Sequence, residues 1–183
     1  MNVIYATDEN YAMYTGISIY SLYDNNKDIK NLDVHILDNG VVEQSKQYLV
    51  DIANKFDRQI YFYDGKGLFD ELAKSIKMKN TQTITTYASC YLSGIMPESM
   101  ETAIYVDGDS LFLGSLKELE EIPMDDYYVA GCLDNCLSAV RNAIGLKNEE
   151  PYINAGFLYM NFKKIREAEL NGEIADFIRD VIP

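Results

Sequence analysis

The sequence predicts an α/β protein in which a mostly parallel sheet is flanked by helices. The first observation is that short apolar runs alternate along the chain with segments of helical periodicity. The second is size: the chain has 183 residues, 48% of them apolar and 25% charged, which are ordinary values for one globular domain. Because we find no internal repeat, linker or low-complexity stretch, we expect a single domain over residues 1–183.

The first part of the chain alternates three predicted strands with two predicted helices. The strands are the apolar runs 3–6, 34–37 and 59–63. Segment 11–23 has the apolar content of a buried helix, and the apolar residues of 49–56 follow the i, i+3, i+4, i+7 spacing of an amphipathic helix. This order predicts a parallel sheet with helices on both faces.

The rest of the chain is less regular. Residues 65–80 predict a loop with a short helix, and 83–94 favours a helix although its threonines make the pattern ambiguous. Three further strands are predicted, at 103–106, 127–132 and 153–162. The apolar positions 174, 177, 178 and 181 predict a last helix, which stops at Pro183 with little chain left to cover it. We therefore expect a C-terminally incomplete domain.

The charge of the chain limits its partners. It carries 16 Lys and Arg against 29 Asp and Glu, a formal net charge of −13. This excess argues against nucleic acid and against an anionic membrane surface, since both attract basic proteins. If the ligand is an anion, a divalent cation is the obvious bridge.

Segment lengths and cysteines indicate a cytoplasmic protein. No apolar run approaches the ~20 residues of a membrane span, and the N-terminus lacks the basic start of a signal peptide. Cys90, Cys132 and Cys136 have no framework spacing, so we expect reduced thiols.

The pair Asp107 and Asp109 is the first candidate site. It directly follows the apolar run 103–106, with Gly108 between the two carboxylates. Hard oxygen ligands at i and i+2 suit Mn²⁺ or Mg²⁺, and ligands of open α/β sheets bind outside the carboxyl ends of strands. The alternative is an ordinary acidic turn, because two Asp in a short motif are not specific without context.

Three other polar segments also follow or enter predicted strands. Residues 6–11 come after the first strand, where Asp8 can accept from a base N–H, or can cap the next helix while Tyr11 packs in the core. Asn154 stands beside two small residues, which suits a sugar-binding amide or a β-bulge. Asp134 is either a fourth site carboxylate or a turn former. His35, the only histidine, lies inside a strand, which favours a buried, hydrogen-bonded side chain.

Taken in order, these segments resemble the donor site of glycosyltransferase family 8, which includes bacterial lipopolysaccharide galactosyl- and glucosyltransferases and glycogenin. The matching stretches are 2–11, 85–88, 103–109 and 152–161. The resemblance spans nearly the whole chain and implies a GT-A fold, which is a Rossmann-like sheet that binds nucleotide sugars. It further implies a UDP-hexose donor, Mn²⁺ or Mg²⁺, a carbohydrate or lipid-linked glycan acceptor, and transfer with retention of anomeric configuration.

The resemblance assigns roles position by position. Asp107 and Asp109 would bind the metal, and Gly108 would lie against the nucleotide. The donor-binding residues would be Ala6, Thr7, Asp8, Asn10, Tyr11, Asp107, Gly108, Asn154 and Ala155. Asp8, Asn10 and Tyr11 would hold the uracil and ribose, whereas Asn154 and Ala155 would line the sugar pocket. Asp134 and Asn154 would act at the reacting centre.

Two departures from the family pattern bear on activity. The family usually has Arg or Lys shortly after the Thr-Tyr-Ala segment, where this chain has Ser89. The family also continues into an Asp-Gln-Asp segment and a His-x-x-Gly-x-x-Lys-Pro-Trp segment, whose His completes the metal shell and whose Lys contacts the diphosphate. Membrane association would arise only through the C-terminal part that we expect to be missing. We therefore expect weak or no turnover by this chain. The alternative function is a non-catalytic nucleotide-sugar-binding or protein-interaction module. A sugar nucleotidyltransferase is disfavoured because its Gly-rich, basic N-terminal loop is missing.

Overall fold

The computed structural model describes residues 1–67, 85–147 and 149–181, which form six strands and the helices around them. The strands are β1 (Asn2–Thr7), β2 (Asp33–Asp38), β3 (Ile60–Asp64), β4 (Thr102–Val106), β5 (Val129–Leu133) and β6 (Ile153–Asn161). The helices are α1 (Ala12–Asn25), α2 (Glu43–Asn54), α3 (Leu92–Ile95), α4 (Ser138–Ala143), α5 (Phe162–Glu167) and α6 (Leu170–Val181). Two 3₁₀ helices span Thr85–Tyr91 and Lys117–Glu121.

The strands form one mostly parallel sheet, as predicted, and their order in it is β3-β2-β1-β4-β6-β5. β1 pairs in parallel with β2 and β4, and β2 pairs in parallel with β3. Parallel strands require crossover connections, which bring the chain back to the edge where the previous strand began. β6 is antiparallel to both β4 and β5. The first residues of β6 therefore lie at the edge where β1 and β4 end.

Helices cover both faces of the sheet, and a separate apolar cluster lies under each layer. Helices α1 and α2 cover one face of the sheet, where they pack on the side chains of β1, β2 and β4 that point away from the face of Ile4 and Tyr105. On the other face Tyr105 and its neighbours pack against α3, α5 and α6, including the buried Phe162 and Ile178. Burial on both faces explains why β1, β2 and β4 are continuous apolar runs.

Several predicted elements differ from the structure in detail. The prediction of a buried helix at 11–23 is only half right, because Met13, Ile17 and Tyr20 of α1 are 46–66% exposed and line a groove between α1 and α2. The ambiguous segment 83–94 is a 3₁₀ helix followed by one turn of α3 from residue 85 onward. The fifth strand begins at Val129 rather than 127. Of the predicted loop and helix at 65–80, residues 68–80 lie outside the described part.

No helix within residues 1–67, 85–147 and 149–181 has the length and apolarity needed to cross a membrane. The three cysteines are free thiols, with Cys132 exposed and Cys90 and Cys136 partly buried.

Candidate functional site

The candidate site lies at the sheet edge where β1 and β4 end and β6 begins. The antiparallel register pairs Val106, the last residue of β4, with Phe157 of β6. One residue further on, the Asp107 N–H donates to the Gly156 carbonyl over 2.9 Å. The acid-pair turn is thereby joined directly to the Asn154 segment, although the two are far apart in sequence.

Asp107 is held by a tyrosine of its own strand. Because side chains alternate along β4, Tyr105 and Asp107 project to the same side, and the Tyr105 hydroxyl donates to Asp107 Oδ1 over 3.0 Å. Tyr105 is buried at 4% exposure, and this burial, together with the Asp107 charge, raises the pKa of Tyr105 far above its usual value. The hydroxyl therefore stays protonated and donates.

Among the described residues, no salt bridge involves either member of the acid pair. Desolvation raises the pKa of Asp107, the Tyr105 hydrogen bond lowers it, and the Asp109 charge raises it further. Both carboxylates are exposed at the sheet edge. Two adjacent anionic oxygen donors fit a hard divalent cation such as Mn²⁺ or Mg²⁺. Within the described residues no group of three or more His, Cys, Asp and Glu side chains is placed to hold a metal.

Asn154 joins the start of β6 to the end of β5. Its Nδ2 donates to Asp134 Oδ2 over 3.1 Å, and its Oδ1 accepts from the Gly156 N–H over 2.8 Å. The Asp134 N–H in turn donates to the Tyr152 carbonyl. Asn154 is therefore tied to a carboxylate and to the backbone, and both Asn154 and Asp134 are exposed to a ligand.

The loop after β1 meets the acid-pair turn through buried hydroxyls. Thr15 of α1 donates to Thr7 Oγ1 over 2.9 Å, and both threonines are essentially inaccessible. Gly108 lies against this pair so closely that a Cβ on it would be 2.4 Å from Thr15 Oγ1. Glycine is required here by close approach, since its φ is not in the left-handed region.

The predicted donor loop is partly exposed and partly buried. Asn10 and Tyr11 are exposed, Asp8 is half-buried, and Ala155 across the edge is also exposed. The Ala6 and Thr7 side chains are buried, so only their backbone can face a ligand. Thus the structure brings the predicted residues from four segments to one edge, around Thr7, Gly108 and Gly156.

The structure supports some of the alternative interpretations of single residues and contradicts one. Asp8 Oδ1 does accept from the Tyr11 N–H over 3.1 Å, as a capping residue would. Tyr11, however, is 51% exposed and its ring is tilted against that of Tyr14, so the interpretation that Tyr11 packs in the core is wrong. His35 is buried and contacts Tyr63 and Asn2 through both ring nitrogens, which confirms the structural interpretation. Burial lowers the pKa of His35 to about 4.

The sequence analysis assigned no role to three residues at this edge. Tyr105 had a usable signal, because it stands two positions before Asp107 on a strand. Thr15 had none, since a helical threonine is not distinctive. Glu9 accepts from the Val42 N–H and the Ser45 hydroxyl, both over 2.9 Å, and so ties the loop to the start of α2. Ser89, which stands where a basic residue was expected, is buried.

A polar site at the carboxyl edge of a mostly parallel sheet lies where open α/β sheets bind their ligands. The sequence model of glycosyl transferase family 8 matches residues 2–181. The chain therefore belongs to glycosyl transferase family 8, in agreement with the resemblance drawn from its motifs.

Curated relatives match almost the whole chain. A putative glycosyltransferase of Haemophilus influenzae is 31% identical over 175 residues, which are 93% of this chain and 51% of that protein. A lipopolysaccharide 1,2-glucosyltransferase of Escherichia coli is 28% identical over 183 residues, 98% of this chain and 52% of that protein. The chain thus spans about half the length of these relatives.

Solved structures confirm the fold. The galactosyltransferase LgtC, in complex with donor and acceptor sugar analogs, superimposes with a TM-score of 0.79 at 23% identity, covering 100% of this chain and 66% of that one. The bifunctional glycosyltransferase WbbM gives a TM-score of 0.79 at 19% identity, over 98% of this chain and 34% of that one. The predicted GT-A fold is therefore confirmed.

Proposed function

We propose that this chain is the nucleotide-sugar-binding domain of a retaining glycosyltransferase, which transfers a hexose from a UDP-sugar to a glycan or other hydroxyl acceptor. Family membership supports the reaction class. The observation that carries the proposal is the junction at Gly156, which sets the acid pair beside Asn154 and Asp134. Sites for a diphosphate and for a sugar must be adjacent in any enzyme that cleaves the bond between them.

The acid pair is the proposed cation site. Asp107 and Asp109 would hold Mn²⁺ or Mg²⁺, which supplies Lewis-acid stabilisation of the leaving diphosphate. A cation here also reconciles a chain of charge −13 with an anionic donor. Mn²⁺ carries this role in the proposal, with Mg²⁺ as its substitute.

The other residues bind and orient the donor. Asp8, Asn10 and Tyr11 lie beside the acid-pair turn through the Thr7–Thr15–Gly108 contact, a position suited to the nucleoside. A Tyr11 ring that is half exposed is available to stack on a base. Asn154 is oriented by Asp134 and Gly156, and its free lone pair and the Asp134 carboxylate can hydrogen-bond sugar hydroxyls.

The test is binding of UDP to the whole chain, measured by calorimetry with Mn²⁺ and with EDTA. We expect binding that requires Mn²⁺ and that is lost in Asp107→Asn and Asp109→Asn. The control is Asp28→Asn, which removes one exposed carboxylate after α1, at the opposite edge of the sheet. Equal UDP affinity with and without metal would refute the cation site.

Turnover separates the transferase from a binding module. Incubation with UDP-glucose or UDP-galactose and Mn²⁺ tests this: release of UDP with an α-anomeric product supports retention and catalysis. Metal-dependent binding without release supports a nucleotide-sugar-binding module.

A further inference from the structure

We propose that Tyr105 is a positioning residue for the cation site, whose hydroxyl fixes the Asp107 carboxylate so that Oδ2 is presented to the metal. This inference rests on the proposed function, because it specifies how one of the two proposed ligands is oriented. The contact that carries it is the hydrogen bond of 3.0 Å from the Tyr105 hydroxyl to Asp107 Oδ1.

The two oxygens of Asp107 have different surroundings. Oδ1 accepts from Tyr105. Oδ2 faces Gly156, where a Cβ would lie only 2.8 Å from Oδ2 and 3.0 Å from Asn154 Oδ1. The absence of a side chain at residue 156 leaves this oxygen room, and it turns toward the Asn154 side of the site. One oxygen is thus committed within the protein, and the other is left for a ligand.

The tyrosine is itself immobile, so it can impose an orientation. Its ring belongs to the apolar cluster between the sheet and helices α3, α5 and α6. Its strand is hydrogen-bonded to β1 on one side and β6 on the other. Because Tyr105 is held in a strand that is paired on both sides, its hydroxyl keeps the Asp107 carboxylate in one rotamer. An exposed aspartate without such a partner samples several rotamers.

A purely structural role for the hydroxyl is the competing explanation, because a buried hydroxyl needs a partner wherever it lies. The chain offers a matched control for it. Tyr5 is also buried in the sheet, on the neighbouring strand β1 and on the opposite face, and its hydroxyl contacts the uncharged Ser18 Oγ at 3.1 Å. Tyr→Phe at either position removes one buried hydroxyl, but only Tyr105→Phe releases a proposed metal ligand.

The experiment compares Tyr105→Phe and Tyr5→Phe with the unchanged chain. Mn²⁺ affinity is measured by electron paramagnetic resonance without nucleotide, and UDP affinity by calorimetry with Mn²⁺ and with EDTA. Thermal unfolding of all three proteins is followed in parallel. We expect Tyr105→Phe to weaken Mn²⁺ binding and Mn²⁺-dependent UDP binding by about 10- to 100-fold, the usual effect of removing a partner of a metal ligand. Tyr5→Phe should leave both within about twofold while lowering stability comparably.

The outcomes are distinct. Equal metal affinity in the two variants overturns the positioning role. If the unchanged chain binds neither Mn²⁺ nor UDP, the proposed function fails first and the positioning role fails with it. A measurement on the unchanged chain does not depend on any variant folding: saturation with Mn²⁺ should perturb the near-ultraviolet absorption of a buried tyrosine. No perturbation on confirmed Mn²⁺ binding also overturns the proposal.

Discussion

Gly108→Ala tests the contact that joins the nucleotide loop to the acid-pair turn. The added Cβ would lie 2.4 Å from Thr15 Oγ1, at least 0.6 Å closer than such atoms approach in real proteins. Thr15 cannot move aside, because it is fully buried in α1 and its hydroxyl donates to Thr7 Oγ1. Either the turn moves away from α1 or the buried hydrogen bond breaks.

The size of the effect follows from these two alternatives. Overpacking a buried site typically costs about 1–3 kcal/mol, and loss of a buried hydrogen bond about 1 kcal/mol. We therefore expect Gly108→Ala to lower the free energy of unfolding by about 2 kcal/mol. After Oγ1, the nearest atom is the Thr15 Cβ at 3.5 Å, which is ordinary contact. In a Thr15→Ala background, Gly108→Ala should therefore cost less than about 0.5 kcal/mol.

Urea unfolding of the four proteins in this double-mutant cycle measures the coupling between the two positions. Gly114→Ala is the matched control, because a Cβ there meets nothing within 4 Å and the glycine φ is not left-handed. It should change stability by less than about 1 kcal/mol. Additive effects of Gly108→Ala and Thr15→Ala would show that the close approach is not real.

Three further changes probe other contacts. His35 is the only histidine, and burial lowers its pKa to about 4. Above that pH the folded chain keeps His35 neutral, whereas the unfolded chain binds a proton there below about pH 6.5. His35 should therefore lower the unfolding free energy by about 2 kcal/mol from pH 7 to pH 5, and His35→Gln should flatten that dependence in urea titrations. Arg166 donates five hydrogen bonds to backbone carbonyls between Ser93 and Met100. Arg166→Lys should lower the free energy of unfolding in urea by at least about 2 kcal/mol. A smaller loss would contradict a stabilising role for these five hydrogen bonds. Gly156→Ala should weaken Mn²⁺-dependent UDP binding at least about tenfold in calorimetry while the melting temperature falls by only about 2–4 °C, whereas unchanged affinity would argue that Asp107 Oδ2 is not a ligand.

Much of the fold could be predicted because its strands are buried on both faces. Residues 3–6 and 103–106 are unbroken apolar runs, and such runs alternating with helices define a parallel sheet. The direction of β6 could not be predicted, since an apolar run has the same pattern read either way. The exposed face of α1 could not be predicted either, because a segment with no charged residue from 11 to 23 does not indicate which side of the helix faces solvent.

The candidate site was predictable in its residue types and not in its contacts. Asp107, Asp109 and the loop after β1 were singled out because polar residues after apolar strands gather at one edge. Asn154 was singled out because an amide beside two small residues suits a ligand. Their connection depends on pairings between distant strands, which no local pattern encodes. The Asp134–Asn154 hydrogen bond exists only because β5 and β6 pair in antiparallel register.

The two glycines of the site should separate stability from binding, because the atoms they would displace differ. At Gly108 the obstacle is a buried hydroxyl fixed on a helix, so the cost must appear in the unfolding free energy. At Gly156 the obstacles are the far ends of the exposed Asp107 and Asn154 side chains, which can rotate into solvent at the cost of the Tyr105–Asp107 hydrogen bond, about 1 kcal/mol. Rotation of those groups nevertheless removes them from any ligand. Gly156→Ala should thus lose Mn²⁺-dependent UDP affinity with only about 1 kcal/mol of stability, while Gly108→Ala loses stability first. If both variants unfold equally early and bind equally well, the edge is held together by packing alone, and the acid pair has no oriented role.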